Sequence, residues 1–222
     1  MTYVMANLHG ELGKFQAMLA KINFSGKDIL YVLGDVADYG ADAAALLTDI
    51  SMRENVYPIA GEHDLLALRM LAGFDKMLKS GNMQPDADFA AEMMAWAQDG
   101  GTATLSGFRE LDEDMREGLL DYLSEFSLFE EVEVGGKAYV LVHAGINGFD
   151  ADKPLDEYEP EDFFTVPQNE AYYSDRTVVV GHMPTQSGKI EWDGGVIRLD
   201  CGVKDGGALA CLCLETGEEY YV

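Results

Sequence analysis

The sequence predicts an α/β protein with layered mixed sheets and a helical insertion in the middle of the chain. Short apolar runs alternate with helical segments over residues 3–59, a pattern typical of layered sheets. Residues 65–128 are rich in Ala, Leu and Met with helical spacing and form the predicted insertion. The length of 222 residues suits one core, so we expect a single domain over residues 1–222.

The elements follow in order along the chain. Strands are predicted at residues 3–6, 28–33 and 56–59, with helices at residues 12–22 and 42–52 between them. After the insertion, strands return at residues 129–134 and 138–142, where Gly135-Gly136 predicts a hairpin. Residues 147–175, rich in Asp, Glu and Pro, are predicted to be a loop. The strand at residues 177–180 and antiparallel strands in the tail, residues 189–222, complete the prediction.

The net charge is strongly negative. Forty Asp and Glu residues against fifteen Lys and Arg residues give −25. Such a field repels nucleic acid and anionic lipid, so we expect neither as a partner. It also repels phosphorylated substrates, unless metal ions reverse the sign locally.

The N-terminus and the cysteines favour a cytoplasmic protein. The sequence shows no secretory signal and no apolar run of the ~20 residues that a membrane span needs. Cys201, Cys211 and Cys213 are an odd number close to the C-terminus. We expect buried, reduced thiols rather than a disulfide framework.

Side chains that can bind metal follow the predicted strands, where each strand ends. Ligand sites in α/β sheets favour the carboxyl ends of strands. A single histidine beside an apolar run is more often a core residue, but all four histidines of this chain lie at such ends. We therefore predict a ligand site made from residues after five strands: Asn7 and His9, Asp35 and Asp38, Glu62 and His63, His143, and His182.

These segments, taken in order, resemble the calcineurin-like metallophosphoesterases, and most closely the bacterial serine/threonine phosphoprotein phosphatases. The match spans nearly the whole chain, and the ordered set is more specific than any one motif. The matching segments are Asn7-Leu8-His9-Gly10, Gly34-Asp35-Val36-Ala37-Asp38-Tyr39-Gly40, Gly61-Glu62-His63-Asp64, His143-Ala144-Gly145, Gly181-His182-Met183-Pro184-Thr185, residues 96–105 and residues 197–214. The resemblance implies a four-layer α/β/β/α sandwich.

The resemblance also implies a site with two divalent ions, Mn favoured over Fe, Zn or Mg. Asp35 would bridge the ions, Asn7 and His9 would complete one, and Glu62, His143 and His182 would complete the other. His63, oriented by Asp38, would protonate the leaving oxygen or polarise the bound phosphate. A hydroxide held between the ions would attack phosphorus in line.

Two of the implied ligands depart from the family pattern. Asn7 stands where the family has Asp, and Glu62 stands where it has Asn. Together they conserve the number of carboxylates, so two ions with altered relative affinities is one interpretation. The alternative is that the first ion is weakened and often absent.

The arginines with which the family holds phosphate are replaced as well. Tyr39 and Ala60 stand at two of these positions, and residues 162–165 offer no counterpart of a third. A tyrosine does not reproduce the bidentate grip of arginine. We predict substrate contacts from Tyr39 and, more weakly, from Arg176; Lys204 is a further substitute.

The sequence therefore predicts a metal-dependent phosphoester hydrolase, first of all a phosphomonoesterase resembling the serine/threonine protein phosphatases. Its partner would be a phosphorylated protein or a small phosphoester. One alternative is a hydrolase of nucleotides or dinucleoside polyphosphates on the same site. The other is a catalytically weak pseudo-phosphatase that serves as a binding module.

Overall fold

The computed structural model describes residues 1–168 and 170–222. Two mixed five-stranded sheets pack face to face with helices outside the first sheet, which confirms the predicted fold class. The strands are β1 (Thr2–Ala6), β2 (Ile29–Leu33), β3 (Val56–Ile59), β4 (Phe129–Val134), β5 (Lys137–Val142), β6 (Arg176–Val180), β7 (Glu191–Asp193), β8 (Val196–Arg198), β9 (Ala210–Cys213) and β10 (Glu219–Tyr221). The α-helices are α1 (Leu12–Lys21), α2 (Ala43–Ser51), α3 (Glu62–Ser80), α4 (Ala87–Trp96), α5 (Thr102–Arg109) and α6 (Glu113–Ser124).

The strand order is β10-β9-β1-β2-β3 in the first sheet and β4-β5-β6-β8-β7 in the second. The triplets β1-β2-β3 and β5-β6-β8 are each parallel. Strands β9, β4 and β7 pair antiparallel with β1, β5 and β8, and β10 pairs antiparallel with β9. Gly135 and Gly136 have φ angles of 59° and 78°, as the type I′ turn of the predicted hairpin requires. The tail contributes β7 and β8 to one sheet and β9 and β10 to the other.

Alternating side chains of β1 join the layers. Val4 packs between the sheets in the same cluster as Leu141 and Val179. Tyr3 and Met5 point to the other side, into the cluster beneath the helices. A strand with apolar residues on both faces is buried on both faces, so β1 lies at the centre of the molecule.

The outer face of the second sheet is covered by residues 145–168 and 170–175. Phe163 and Tyr172 pack there against Val140 and Val178. This fourth layer contains two short 3-10 helices, Leu155–Glu157 and Pro160–Phe164. Apart from these helices the segment is irregular, in agreement with the predicted loop.

Helix α3 begins at Glu62, three residues before the predicted insertion. The Asp64 carboxylate accepts a hydrogen bond from the backbone N–H of Gly61 at 3.0 Å and caps the first turn. Glu62 and His63 therefore lie on the rigid first turn of a 19-residue helix.

The state of the cysteines and the character of the helices are two further features of the fold. Cys201, Cys211 and Cys213 are buried free thiols, as predicted. Across residues 1–168 and 170–222, none of the helices has both the length and the apolar character that crossing a bilayer requires.

Candidate metal centre

The loops after β1, β2, β3, β5 and β6 meet at one edge of the two sheets, because the carboxyl ends of parallel strands share an edge. Several residues in these loops have left-handed backbone conformations that side chains larger than glycine rarely adopt. Such strain clusters at functional sites. The non-glycine residues with positive φ here are Asn7, His9, Asp35, Asp38, Tyr39 and His182.

Four predicted ligands form one compact group: Asp35, Glu62, His143 and His182, with one ligand atom each within 4.8 Å of all the others. The two Glu62 oxygens lie 2.7 Å from His143 Nε2 and 2.8 Å from His182 Nδ1. The two imidazole nitrogens are 3.2 Å apart. Nitrogen and oxygen donors in this mixture suit Mn, Fe or Zn.

His143 is held with one nitrogen free for a ligand. Its Nδ1 lies 2.9 Å from the carbonyl oxygen of Leu33, which accepts a hydrogen bond from it. When a metal takes the place of the proton on Nε2, a ring held in this way directs the Nε2 lone pair towards the space beside Glu62 and Asp35. Such a second hydrogen bond orients metal-binding histidines.

The charges of the group fit a divalent cation. Burial lowers the pKa of His143, but the Asp35 and Glu62 carboxylates raise it further, to about 9. Burial raises the pKa of Glu62, but hydrogen bonds with His143 and His182 hold it well below its usual range. Among the described residues, the charged Glu62 carboxylate has only imidazole rings paired with it as sources of positive charge. A divalent ion would supply that charge, so these residues fit a metal.

His63 and Asp38 form a second buried pair beside the group. His63 Nδ1 lies 2.9 Å from Asp38 Oδ2. Burial lowers the pKa of His63, but Asp38 and Asp35 raise it to about 9. The ring is therefore positively charged at neutral pH, with a proton on Nε2, which lies 3.5 Å from the Tyr39 hydroxyl.

Two residues of the helical insertion hold Asp38. Trp96 Nε1 donates to Asp38 Oδ2 at 2.8 Å, and the Thr104 hydroxyl donates to Oδ1 at 2.7 Å. Sequence reasoning assigned no role to either residue. The signal was present in the similarity of residues 96–105 to the bacterial phosphatases.

Asp64 connects two loops of the site. Its carboxylate accepts hydrogen bonds from the backbone N–H groups of Val36 at 2.9 Å and Ala37 at 3.0 Å, besides that of Gly61. The segment after β2 is thereby tied to the start of α3. The short Asp64 side chain thus holds the backbone of two loops together.

Asn7 and His9 lie next to the group but outside it. His9 Nε2 is 3.8 Å from Asp35 Oδ2 and 3.4 Å from Asn7 Nδ2. Burial lowers the pKa of His9 to about 4, so its ring is neutral at pH 7. The Asn7 amide oxygen accepts the backbone N–H of His182 at 2.7 Å, and its nitrogen faces Asp35.

The group opens into a cavity of about 210 Å³. Among the described residues that line it, Lys204 supplies the only lysine or arginine side chain. Lys204 Nζ lies 3.4 Å from the Tyr39 hydroxyl and 4.5 Å from the centre of the Tyr39 ring. Tyr39 in turn donates to Asp99 at 2.8 Å, so the Tyr39 hydroxyl links Lys204 to Asp99.

Arg176 lies elsewhere. It begins β6 at the amino end of the strand, whereas His182 follows the carboxyl end, roughly 13 Å further along at ~3.3 Å per residue. Its guanidinium pairs with Glu131 and lies over the Tyr173 ring. The structure does not bring this predicted substrate contact to the site.

Two face-to-face mixed sheets with a carboxylate–histidine group at their strand ends define the metallophosphoesterase class. A model of the calcineurin-like phosphoesterase family matches residues 2–213. The chain belongs to this family, which confirms the resemblance.

Two curated relatives are symmetrical bis(5′-nucleosyl)-tetraphosphatases. The protein from Acidovorax sp. (strain JS42) is 30% identical over 151 residues, which cover 65% of this chain and 43% of that protein. The protein from Cellvibrio japonicus (strain Ueda107) is 33% identical over 99 residues, 43% of this chain and 37% of that protein. The chain thus spans less than half the length of either relative.

Solved structures show the same fold at lower identity. One is described as a candidate diadenosine tetraphosphatase; it has a TM-score of 0.69 and 18% identity and covers 100% of this chain and 92% of that one. A serine/threonine phosphatase from Saccharomyces cerevisiae has a TM-score of 0.54 and 11% identity, with coverage of 95% and 71%. At these identities the likeness concerns the fold alone.

Proposed function

We propose that this chain is a metal-dependent phosphoester hydrolase. The observation that carries the proposal is the convergence of Asp35, Glu62, His143 and His182 beside the His63–Asp38 pair. A metal site with a purely structural role does not require a charged, oriented histidine beside the metal-binding residues. The pair therefore favours an enzyme over a pseudo-phosphatase that only binds.

The chain's own residues account for the proton transfer. A divalent ion, when bound, lowers the pKa of water and neutralises charge on phosphoryl oxygens. Water releases a proton to solvent and its oxygen forms the new bond to phosphorus, while the bond from phosphorus to the leaving oxygen breaks. His63 Nε2 gives its proton to that oxygen, while Asp38 holds Nδ1 and stabilises the charged ring before transfer.

Lys204 and Tyr39 take the place of the missing arginines. Lys204 brings a positive charge into a cavity whose other charged side chains include Asp35, Glu62 and Asp200. A lysine offers a point charge rather than a bidentate fork. We therefore infer a weaker and less directional hold on phosphate than the arginines of the family pattern would give.

A dinucleoside polyphosphate is the substrate class that we infer first. Two observations support this inference. Both curated relatives carry that activity in their names, and the cavity of about 210 Å³ is smaller than the ~300–1,000 Å³ of sites that enclose a drug-sized ligand. Only a phosphate segment would enter it, and the nucleosides would lie outside. A phosphoprotein, which the sequence predicts first, would place its phosphate in the cavity in the same way. It is the second candidate.

A side-by-side assay tests this proposal. Purified protein with added Mn²⁺ is given diadenosine tetraphosphate, a phosphoserine peptide and p-nitrophenyl phosphate. We expect metal-dependent turnover, highest with the dinucleotide and abolished by a chelator. Glu62→Gln should lose activity, whereas Glu157→Gln, an exposed carboxylate away from the site, should keep it. No turnover of any substrate with Mn²⁺, Fe²⁺, Zn²⁺ or Mg²⁺ would establish the pseudo-phosphatase alternative.

A further inference from the structure

We propose that the centre holds one divalent ion, at Asp35, Glu62, His143 and His182, and that the side-chain NH₂ of Asn7 occupies the position of a second ion. The proposal deepens the function proposed above, because it assumes that the group binds metal. The number of ions can be measured without turnover.

The orientation of the Asn7 amide is determined by its surroundings. The backbone N–H of His182 can only donate, so the amide atom 2.7 Å from it is the oxygen. A rotated amide would set an NH₂ donor against that N–H. Asn7 Nδ2 therefore points into the site.

The close approach of the backbone keeps Asn7 in place. A Cβ atom on Gly181 would lie only 2.3 Å from Asn7 Oδ1, so the amide occupies the space that the glycine leaves. Asn7 is 1% exposed. The side chain has no route into solvent and no room for a second orientation.

The inward NH₂ faces the two atoms that would bind the second ion. Asn7 Nδ2 is 3.3 Å from Asp35 Oδ2 and 3.4 Å from His9 Nε2. One hydrogen has an acceptor in Asp35 Oδ2, and the other has one in His9 Nε2 when that ring carries its proton on Nδ1. These contacts occupy lone pairs that a cation would otherwise take. An amide nitrogen carries no lone pair for a metal, so this position retains His9 and Asp35 as ligands, too few for a divalent ion.

The charges of the carboxylates also favour one metal ion per chain. Asp35 and Glu62 supply two negative charges to the group, and one divalent ion balances them. The remaining acidic residues nearby are engaged elsewhere: Asp38 with His63, Asp64 with three backbone N–H groups, and Asp200 with the N–H of Gly202. Of the two interpretations of Asn7 and Glu62, the geometry thus favours loss of the first ion over a redistribution of ligands.

Metal titration of the whole chain tests the count. Dialysed protein is titrated with Mn²⁺ by calorimetry, bound metal is measured by mass spectrometry, and the Mn²⁺ spectrum is recorded by electron paramagnetic resonance. We expect one ion per chain and the six-line spectrum of an isolated Mn²⁺. Asn7→Asp should raise the count to two and give the broadened signal of coupled ions, because one oxygen can accept the His182 N–H while the other binds metal.

The control is Asn82→Asp, which adds the same charge at an exposed loop and should leave the count at one. Two ions per chain with a coupled signal in the unsubstituted protein would overturn the proposal and leave the proposed function standing. A folded Asn7→Asp protein, checked by circular dichroism, that still binds one ion would also overturn it. Binding of no ion at all would overturn both proposals, and one ion without turnover would support the count and contradict the function.

Discussion

Trp96 Nε1 donates a hydrogen bond to Asp38 Oδ2 at 2.8 Å, and the same oxygen lies 2.9 Å from His63 Nδ1. The indole comes from the end of α4, and Asp38 follows β2, so the helical insertion reaches the His63–Asp38 pair directly. The insertion therefore does more than cover the sheet. It fixes the direction in which the His63 ring points.

Thr104→Val tests this role of the insertion. The variant keeps the shape of a fully buried side chain and removes the hydrogen bond to Asp38 Oδ1. Because a hydrogen bond to a charged group contributes about 1.5–3 kcal/mol, we expect kcat to fall about tenfold or more. Steady-state kinetics with calorimetric metal binding check the result. Thr48→Val, whose hydroxyl bonds only within α2, should retain kcat; equal losses in both variants would argue against the role.

His63→Gln tests the proton donor. A general acid accelerates departure of a basic leaving group, and its removal costs roughly 10²–10⁴-fold. We expect a loss of this size with phenyl phosphate and a much smaller one with p-nitrophenyl phosphate, whose leaving oxygen needs no proton. Metal binding should be retained. An equal loss with both substrates would indicate that His63 does not protonate the leaving oxygen.

Lys204→Met tests the phosphate contact. Loss of one charge-assisted contact is expected to raise KM about tenfold and to weaken inhibition by inorganic phosphate in parallel. Lys204→Arg should keep most of the affinity. Lys137→Met, at an exposed position of the β4–β5 hairpin, is the matched control. An unchanged KM in Lys204→Met would remove this residue from the substrate site.

Much of the site could be predicted from the sequence. Asp35, Glu62, His143 and His182 each follow an apolar strand, and parallel strands carry their ends to one edge. Arg176 shows the limit of this reasoning, because a strand has two ends and Arg176 stands at the other one. The pattern alone did not separate a residue before a strand from one after it.

The orientation of Asn7 could not be predicted, since the atom that determines it belongs to His182, 175 residues away. The same holds for Trp96 and Thr104, which contact Asp38 across separations of 58 and 66 residues. The spacing of apolar residues in the insertion predicts helices. It does not predict which of their side chains face the edge of the sheets. Such contacts depend on packing between layers, which a strand or helix pattern does not contain.

Asp75 allows a test of how the helical layer is held together. The buried carboxylate on α3 pairs with Arg116 of α6 and Lys79, each at 2.7 Å. Burial raises the pKa of Asp75, but its hydrogen bonds with Arg116 and Lys79 lower it to a greater extent. The pair therefore stabilises the fold above the unfolded pKa of about 3.9, and this stability is lost as the pH falls through the lower folded value.

We expect Asp75→Asn to reduce the free energy of unfolding by roughly 2 kcal/mol at pH 7. The difference from the unsubstituted protein should shrink as the pH falls below about 4. Urea unfolding at several pH values measures both. Asp121→Asn, at an exposed position of α6, should change stability by less than about 0.5 kcal/mol. A difference that persists at low pH would show that the ion pair is not its source.

Anomalous diffraction at the manganese edge, from crystals of catalytically active protein grown with Mn²⁺, tests the metal-dependent hydrolase most directly. The account predicts a single strong peak bounded by Asp35, Glu62, His143 Nε2 and His182 Nδ1, with the Asn7 amide still bonded to the backbone of His182. An active crystal with no peak among these four residues, or with its metal bound elsewhere on the chain, would contradict it.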